Sequence, residues 1–341
     1  MTSTKPSRVS STIDLTADGK RHGYLNVPWS RNESAWGAVR VPITVVRNGD
    51  GPTVLLVAGN HGDEYEGQIA LLRLARELRP EQVAGRVVIL PALNLPAVRA
   101  GTRVSPIDGG NMNRSFPGRR DGTVTAMIAH YVHTELLPSA DVVLDLHSGG
   151  RTLHFVPSTL VHELPDRDQM RRTLDAARAF AAPAALVLVE LDSEGMLDTV
   201  AEEMGKVFVG TELGGAGGST PTTVAVAETG VRNVLRHVGV LDGEPESREA
   251  RGLGPTRLMH TPDPACFIVA EGTGLGEFLV ELGDIVMEGD PVAVVHDFEA
   301  PGREPVVYRA ARSGTLWARH WPGLVGSGDC LAVIAVDHGT G

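Results

Sequence analysis

A histidine and a glutamate stand three residues apart in the segment Gly59–Glu64, and together they offer two side chains that can hold a metal ion. His61 supplies an imidazole nitrogen and Glu64 a carboxylate oxygen, which is the beginning of the two-histidine-one-glutamate set found in catalytic zinc sites. The same spacing also fits a polar turn that caps a helix. Other residues must decide between a metal site and a simple turn.

A second histidine, His147, supplies the missing nitrogen ligand. It follows Val142–Leu146, which is apolar apart from Asp145, and precedes a glycine turn, as expected at the carboxyl end of a buried strand. Catalytic zinc sites take three protein ligands and leave one position open for water. Asp145 is a candidate to orient a ligand imidazole. A buried, hydrogen-bonded carboxylate without a metal role has the same sequence pattern.

A metal-dependent hydrolase also needs a side chain that moves protons, and Glu212 is the best candidate. It follows the apolar run Val207–Thr211 and precedes glycines that leave room for a substrate. Glu202 and Glu203 have the same chemistry but lie in a polar stretch with a helical pattern. We therefore expect these two side chains on the solvated surface and Glu212 as the general base and acid.

The segment 111–118 is rich in hydrogen-bond donors that suit a carboxylate. The Arg114 guanidinium presents a fork of N–H groups, and the neighbouring Asn113 amide adds another donor. Upstream, Arg99 and Arg103 flank a short glycine-containing stretch in a predicted loop. One of them could stabilise the oxyanion that forms when water attacks a carbonyl. Arg103 is favoured for this role, with an ordinary surface arginine as the alternative for both.

These side chains need strands and helices that bring them together. Between residues 38 and 240, apolar runs alternate with helical patterns, which indicates an α/β domain around a mostly parallel or mixed sheet. The predicted helices cover residues 64–78, 122–137, 167–181 and 220–238. The predicted strands are Ala38–Val46, Thr53–Ala58, Arg86–Leu93, Val142–Leu146, Ala185–Leu191 and Val207–Thr211, with Phe155–Pro157 as a further candidate. The carboxyl ends of strands in open α/β sheets are where ligands bind.

The chain changes character after residue 241. Residues 242–264 carry proline, glycine and alternating charges without periodicity, and we predict a linker there. Short β-type runs with Gly-Asp turns follow at 265–341, which predicts a small all-β module resembling the biotinyl/lipoyl-like sandwich. The module contains no lysine, so it cannot carry a cofactor on a swinging lysine. The remaining parts are an N-terminal arm at 1–30, poorly structured or covering a sheet edge, and a catalytic domain at 31–241.

Composition argues against several classes of protein. The 341-residue chain has 42% hydrophobic and 21% charged residues, which is typical of a globular protein. Its formal net charge of −11 argues against a nucleic-acid partner, since phosphate contacts require clustered lysine and arginine. The chain has two cysteines, Cys266 and Cys330, which lie far apart in sequence, so we do not expect a framework of disulfide bonds. Neither an apolar signal segment nor a membrane-spanning stretch of about 18 apolar residues is evident, so we expect a cytoplasmic location and no membrane partner.

Four ordered motifs resemble the succinylglutamate desuccinylase/aspartoacylase family: Gly-Asn-His-Gly-Asp-Glu at 59–64, Asn-Met-Asn-Arg-Ser-Phe-Pro-Gly at 111–118, Asp-Leu-His-Ser at 145–148 and Thr-Glu-Leu-Gly-Gly at 211–215. That family is a branch of the zinc carboxypeptidase fold, so the resemblance implies an α/β mixed sheet with helices on both faces. The implied zinc ligands are His61, Glu64 and His147, with one Zn²⁺ per chain. The resemblance also implies Glu212 as general base and acid, Asn113 and Arg114 as binders of a substrate carboxylate, and a homodimer.

Narrower motifs within the family suggest a substrate. They are Ser-Ala-Trp-Gly at 34–37, Asn-His-Gly-Asp-Glu-Tyr-Glu-Gly at 60–67, Arg-Ala-Gly-Thr-Arg at 99–103 and Ala-Glu-Glu-Met-Gly-Lys at 201–206. These segments look like those of deacetylases that act in ectoine breakdown. The resemblance therefore implies a small-molecule N-acetyl amino acid substrate, N2-acetyl-L-2,4-diaminobutanoate, hydrolysed to acetate and L-2,4-diaminobutanoate.

Two other functions stay open at this point. The chain could deacylate a different N-acyl amino acid, such as acetylaspartate or succinylglutamate, or it could bind a metal without catalysis. A serine hydrolase is disfavoured because the chain has no Gly-x-Ser-x-Gly motif. A substrate ammonium group would favour a carboxylate partner, and Asp192, Glu194 and Asp198 are near the Glu212 strand in sequence.

Overall fold

The computed structural model describes residues 6–188 and 194–339. As far as residue 261 the strands are β1 (Ser10–Ser11), β2 (Gly19–Pro28), β3 (Ala38–Asn48), β4 (Thr53–Ala58), β5 (Gly85–Leu90), β6 (Val142–His147), β7 (Leu153–Phe155), β8 (Ser158–His162), β9 (Ala184–Leu188), β10 (Val207–Glu212) and β11 (Arg257–Thr261). The strands that follow are β12 (Phe267–Val269), β13 (Gly274–Phe278), β14 (Ile285–Val286), β15 (Pro291–His296), β16 (Val306–Arg309), β17 (Gly314–His320), β18 (Leu324–Val325) and β19 (Cys330–Asp337).

The helices are α1 (Tyr65–Glu77), α2 (Leu95–Ala100), α3 (Val124–Tyr131), α4 (Arg167–Phe180), α5 (Leu197–Glu203) and α6 (Pro221–His237). α1, α3, α4 and α6 confirm the predicted helices, and α3 continues into a π-helical turn at Val132–Leu136. α2 was not predicted, whereas α5 lies in the polar stretch around Glu202 and Glu203 that shows a helical pattern. Within residues 6–188 and 194–339, no helix is both long and apolar enough to cross a membrane.

Most strands belong to one mixed sheet of 15 strands, in the order β1-β2-β3-β5-β4-β6-β10-β8-β9-β11-β19-β17-β14, with β12 and β7 attached at its side. The central strands β5, β4, β6 and β10 are mutually parallel. β8 joins β10 in the antiparallel direction, and β9 then runs parallel to β8. The carboxyl ends of β4, β6 and β10 therefore meet at one edge of the sheet.

The strand β4 shows how the sheet is covered, because all of its residues are buried. Val54 and Leu56 face one side, where they pack with residues of α1, α4 and α6. Leu55 and Val57 face the other side, where α3 and α5 contribute to the core. Helices thus cover both faces, the arrangement that buries parallel strands completely.

The N-terminal region covers one edge of this sheet. β2 pairs with β3 over the whole length from Gly19 to Pro28, and β1 pairs with β2. Of the two descriptions predicted for residues 1–30, edge-covering is therefore the one that fits the described part. Residues 1–5 lie outside the described ranges.

The segment predicted as a linker is only partly irregular. β11 lies within residues 242–264, pairs parallel to β9 and antiparallel to β19, and so extends the main sheet into the C-terminal strands. The prediction of a linker along the whole segment is wrong because β11 is short and its partners lie far away in sequence, so its periodicity is not visible. The division into domains stays a prediction.

The C-terminal strands form two facing layers. A second sheet has the order β16-β15-β13-β18. Val295 of this sheet shares a hydrophobic core with Leu316 and Ile334 of the main sheet. Short strands thus occur where short β-type runs were predicted, and the assignment of a separate all-β module stays a prediction.

Candidate active site

The turn between β4 and α1 carries His61 and Glu64 into the interior. Gly59 has a φ of +72°, a left-handed conformation that favours glycine. A Cβ atom on Gly62 would lie 2.0 Å from the backbone of Ala97, so a larger residue could not pack this closely against α2. Glu64 is the N-cap residue of α1, but its side chain makes no capping hydrogen bond to the helix. The carboxylate is instead available to the neighbouring histidines.

Three side chains meet at the carboxyl edge of the sheet. Oε1 of Glu64 lies 2.6 Å from Nδ1 of His61, and Oε2 lies 2.8 Å from Nδ1 of His147. Potential ligand atoms of the three residues all lie within 4.8 Å of one another. His61 and Glu64 are each 3% exposed. The structure thus brings the three sequence-predicted ligands together in a group that could hold a metal ion.

The other nitrogen of each imidazole contacts a polar side chain. Nε2 of His61 lies 3.1 Å from Oδ1 of Asn111, and Nε2 of His147 lies 2.9 Å from Oδ2 of Asp145. Asn60 donates a hydrogen bond to the same Asp145 oxygen. Such contacts fix the orientation of a ligand imidazole and leave its Nδ1 facing the shared carboxylate. Asn111 was not predicted, although it lies in the donor-rich segment.

The charges of this group stabilise one another. Burial alone would raise the pKa of Glu64, but the charges of His61 and His147 lower it well below its usual value. Burial would lower the pKa of His147, whereas the carboxylates of Asp145 and Glu64 raise it well above the usual histidine value. The imidazoles therefore lie in a strongly negative environment, which also favours a bound cation.

Glu212 ends β10 opposite His147 of the parallel neighbour β6. Its Oε2 is buried and has no hydrogen-bond partner among the residues that the structure describes. Burial, together with the charge of Glu64, raises the pKa of Glu212 to about 8. A carboxyl group with this pKa can both accept and release a proton near neutral pH, as a general base and acid must.

A cavity of about 220 Å³ connects the metal-binding group with Glu212, and Arg103, Asn113 and Arg114 also line it. Nη1 of Arg103 lies 3.5 Å from Oε1 of Glu64, and the Arg103 side chain is 53% exposed. Arg99, in contrast, is an exposed residue in the last turn of α2. The geometry therefore favours Arg103 over Arg99 as the arginine that reaches a substrate.

The pair Asn113 and Arg114 attaches the start of α5 to the cavity wall. Oδ1 of Asn113 accepts a hydrogen bond of 3.0 Å from the backbone N–H of Leu197. Nη1 of Arg114 lies 3.0 Å from Sδ of Met196. Asn113 thus has a structural contact that the sequence did not predict. Its role as a carboxylate binder stays a prediction.

The helix α5 adds two carboxylates to the cavity. Asp198 and Glu202 are four residues apart, so they share one face of the helix, and both line the cavity. The expectation that Glu202 is solvated is wrong, because its side chain is 9% exposed and its oxygens lie 2.9 and 3.2 Å from Nδ1 of His162. Glu203 is exposed, as expected. A helix of 7 residues is too short for its buried face to be recognised from sequence periodicity.

The three carboxylates considered as partners of a substrate ammonium group differ in where the structure places them. Asp198 lines the cavity. Glu194 is exposed. Asp192 lies in the gap between the described ranges.

Comparison with known proteins adds independent information. The family model of the succinylglutamate desuccinylase/aspartoacylase catalytic domain matches residues 50–238. A curated relative from Halomonas elongata, named N-alpha-acetyl-L-2,4-diaminobutyric acid deacetylase, is 52% identical over 331 residues, which cover 97% of this chain and 96% of the relative.

Two solved structures are similar over nearly their whole lengths. The product-bound ectoine utilization protein EutE (DoeB) from Ruegeria pomeroyi has a TM-score of 0.94 and 51% identity, covering 97% of this chain and 99% of that one. A succinylglutamate desuccinylase/aspartoacylase from Rhodobacter sphaeroides has a TM-score of 0.93 and 43% identity, covering 97% and 100%. The resemblance indicated by the motifs is confirmed, and the chain belongs to the succinylglutamate desuccinylase/aspartoacylase family.

Proposed function

We propose that the protein is a zinc-dependent amidohydrolase that removes the acetyl group from N2-acetyl-L-2,4-diaminobutanoate, giving acetate and L-2,4-diaminobutanoate. The observation that carries this proposal is that three potential metal ligands and the protonatable Glu212 line one cavity. The name of the Halomonas elongata relative supports this choice of substrate.

The side chains of His61, Glu64 and His147 fit a zinc ion. Two imidazole nitrogens and one carboxylate oxygen are a common donor set of catalytic zinc. The Nδ1 atoms of both histidines face the Glu64 carboxylate. Their Nε2 atoms contact Asn111 and Asp145, which fix the orientation of the rings. We propose one Zn²⁺ per chain. When bound, zinc supplies a Lewis acid that polarises a carbonyl group and makes water easier to deprotonate at neutral pH.

Glu212 is the proposed proton carrier. Its carboxylate accepts a proton from the water that attacks the acetyl carbonyl, and it then delivers that proton to the leaving amine nitrogen. A C–O bond forms and the amide C–N bond breaks, so the products are acetate and the free amino acid. Burial and the charge of Glu64 raise the pKa of Glu212 in the metal-free protein, which favours delivery of the proton to the amine. The positive charge of a bound zinc ion would favour the ionised form that accepts the proton from water.

Two arginines supply the proposed substrate contacts. Arg103, whose Nη1 lies 3.5 Å from Glu64, would donate to the oxyanion, an interaction often worth about 3 kcal/mol. Arg114 would bind the α-carboxylate through its forked N–H groups. Asn113 would assist with its amide N–H group, because its Oδ1 already accepts from Leu197.

Several further features are part of the same proposal. We infer a zinc-carboxypeptidase-like fold for the mixed sheet. We also infer a biotinyl/lipoyl-like sandwich for the C-terminal strands, which is supported by their two facing layers. We also infer a homodimer in the cytoplasm. Sedimentation equilibrium tests the dimer, and a molar mass equal to one chain at micromolar concentration would contradict it.

The proposed activity is tested by measuring acetate release from N2-acetyl-L-2,4-diaminobutanoate and N-acetylaspartate, and succinate release from N-succinylglutamate. We expect the highest kcat/KM for the diaminobutanoate derivative, with activity lost in a chelator and restored by Zn²⁺. A higher kcat/KM for either dicarboxylic substrate would contradict the proposal that N2-acetyl-L-2,4-diaminobutanoate is the preferred substrate. Full activity in the presence of the chelator would contradict the proposed dependence on zinc.

A further inference from the structure

The cavity wall carries more negative charge than the proposed chemistry uses. Asp145, Asp198 and Glu202 line the cavity in addition to the glutamates already assigned. Their carboxylates come from β6 and from one face of α5. Each therefore needs a partner, since a carboxylate in a confined site is costly unless it is paired or hydrogen-bonded.

Glu202 already has a partner on the protein. Both of its oxygens lie within 3.2 Å of Nδ1 of His162. Its position is further fixed because the backbone oxygen of the same residue accepts a 2.9 Å hydrogen bond from Gln169. Glu202 is therefore held against β8 and is poorly placed to bind a substrate.

Asp198 is paired differently. Oδ1 accepts hydrogen bonds from the backbone N–H and the hydroxyl of Thr199. In the part of the chain that the structure describes, no arginine or lysine forms an ion pair with Asp198, and no donor reaches its Oδ2. One oxygen is thus fixed by the helix while the other is left for a ligand.

Asp145, which also lines this cavity, has one oxygen without a donor. Asp145 is 1% exposed, and its Oδ2 is bonded to His147 and Asn60. Its Oδ1 is buried without a hydrogen-bond donor among the described residues. Two carboxylates that line one cavity therefore each have an oxygen without a donor among the described residues, which favours a ligand with N–H groups and positive charge.

We propose that Asp198 binds the side-chain ammonium group of the substrate and makes the enzyme select N-acyl amino acids with a cationic side chain over dicarboxylic ones. This inference rests on the proposed deacetylase function. The substrate then lies between opposite charges, with its α-carboxylate at Arg114 and its ammonium at Asp198. The second carboxylate of acetylaspartate or succinylglutamate would instead face Asp198 and Asp145, and like charges in a confined cavity repel.

The electrostatics of Asp198 agree with such a partner. Burial raises the pKa of Asp198; the charge of His162 and a Thr199 hydrogen bond lower it, while Glu202 and Asp145 raise it. The ionised form therefore lacks full compensation on the protein. An ammonium group brought to this carboxylate would supply the missing positive charge.

The test compares two substrates that differ only in the ammonium group, N2-acetyl-L-2,4-diaminobutanoate and N-acetyl-L-2-aminobutanoate. We expect Asp198→Asn to lower kcat/KM for the first by about 10- to 100-fold, mainly through KM, because a charge-assisted hydrogen bond is lost. The value for the second should change by less than about 3-fold. Asp198→Glu, which keeps the charge, should retain most of the preference.

Binding of the products gives a readout that does not depend on turnover. Calorimetry with the metal-loaded protein should show tighter binding of L-2,4-diaminobutanoate than of L-2-aminobutanoate, and Asp198→Asn should remove most of the difference. Glu203→Gln is the matched control, because Glu203 is an exposed carboxylate on the same helix. We expect this control to leave both substrates and both products unaffected.

The outcomes separate this inference from the proposed function. Equal losses on both substrates in Asp198→Asn would indicate a structural role and overturn the inference while leaving the deacetylase intact. Absence of acetate release from the diaminobutanoate derivative by wild-type protein would overturn the proposed function. In that case calorimetry alone tests the role of Asp198. Equal affinities of wild-type protein for L-2,4-diaminobutanoate and L-2-aminobutanoate would overturn the proposed ammonium site.

Discussion

Glu212 and His147 lie opposite each other at the ends of two neighbouring parallel strands. The pairing of β10 with β6 is continuous from Val207 and Val142 to this last pair. The separation of the proposed proton carrier from a potential metal ligand is therefore set by the centre of the sheet and not by a loop. Sites built on rigid elements keep their geometry better than sites on loops.

Replacing Glu212 with Gln should separate catalysis from metal binding. We expect kcat to fall by at least about 100-fold, the usual contribution of a general base, because an amide cannot accept the proton. Zinc content measured by atomic emission should stay at the wild-type level. Glu163→Gln, an exposed residue, is the control and should keep full kcat. Turnover unchanged in Glu212→Gln would refute the assigned role.

The same residue should make the stability of the metal-free protein depend on pH. The folded-state pKa of Glu212 is raised to about 8, whereas a glutamate in an unfolded chain has a pKa of about 4.3. Between these values the folded protein binds more protons than the unfolded one, so the free energy of unfolding decreases as pH rises, by up to about 1.4 kcal/mol per pH unit.

Urea unfolding of metal-free wild-type protein and Glu212→Gln, at about pH 5.5 and about pH 7.5, measures this effect. Glu212→Gln cannot titrate, so its free energy of unfolding should decline less over this range. Identical changes in the two proteins would show that Glu212 has no raised pKa in the folded state.

The contact between Asn111 and His61 should contribute to metal affinity. Asn111→Ala removes the oxygen that lies 3.1 Å from Nε2 of His61. Loss of such a supporting contact typically weakens metal binding by about 10- to 100-fold. Competition with a chromogenic zinc chelator measures the change. Asn32→Ala, at an exposed loop position, should have no effect, and an equal effect in both variants would argue against the contact.

The tight turn after β4 should not tolerate a side chain at Gly62. Gly62→Ala places a Cβ atom 2.0 Å from the backbone of Ala97, so the turn or α2 must move. We expect a loss of at least about 1 kcal/mol in stability, together with weaker zinc binding, because His61 moves with the turn. Thermal unfolding and zinc titration measure both.

Gly254→Ala is a suitable control for that variant, because a Cβ atom there would contact nothing within 4 Å. A melting temperature of Gly62→Ala equal to that of this control would contradict the predicted clash.

The proposed ligands and the proton carrier could be predicted from sequence because three of them are tied to strand ends. His61 follows β4, His147 ends β6 and Glu212 ends β10. An apolar run followed by a polar residue and glycine is visible in one sequence, and parallel strands bring such residues to one edge. Local patterns are therefore nearly sufficient to predict the proposed metal ligands and Glu212.

The parts that were missed depend on contacts between distant segments. Asp198 and Glu202 were considered from the sequence, but their position on the cavity wall was not predicted. The buried face of the seven-residue α5 and its hydrogen bond to Asn113 have no local signature. Asn111 contacts His61 across 50 residues of sequence. Periodicity describes one element at a time, so it cannot assign such cross-contacts.

The strand β11 has a consequence for how the chain can be divided. Hydrogen bonding is continuous from β9 through β11 to β19, so the catalytic and C-terminal strands form one ladder. A protein shortened after residue 241 would leave β9 with a row of unpaired N–H and C=O groups. Such a bare strand is a template for a second molecule, and the shortened protein would tend to stack strand to strand into aggregates.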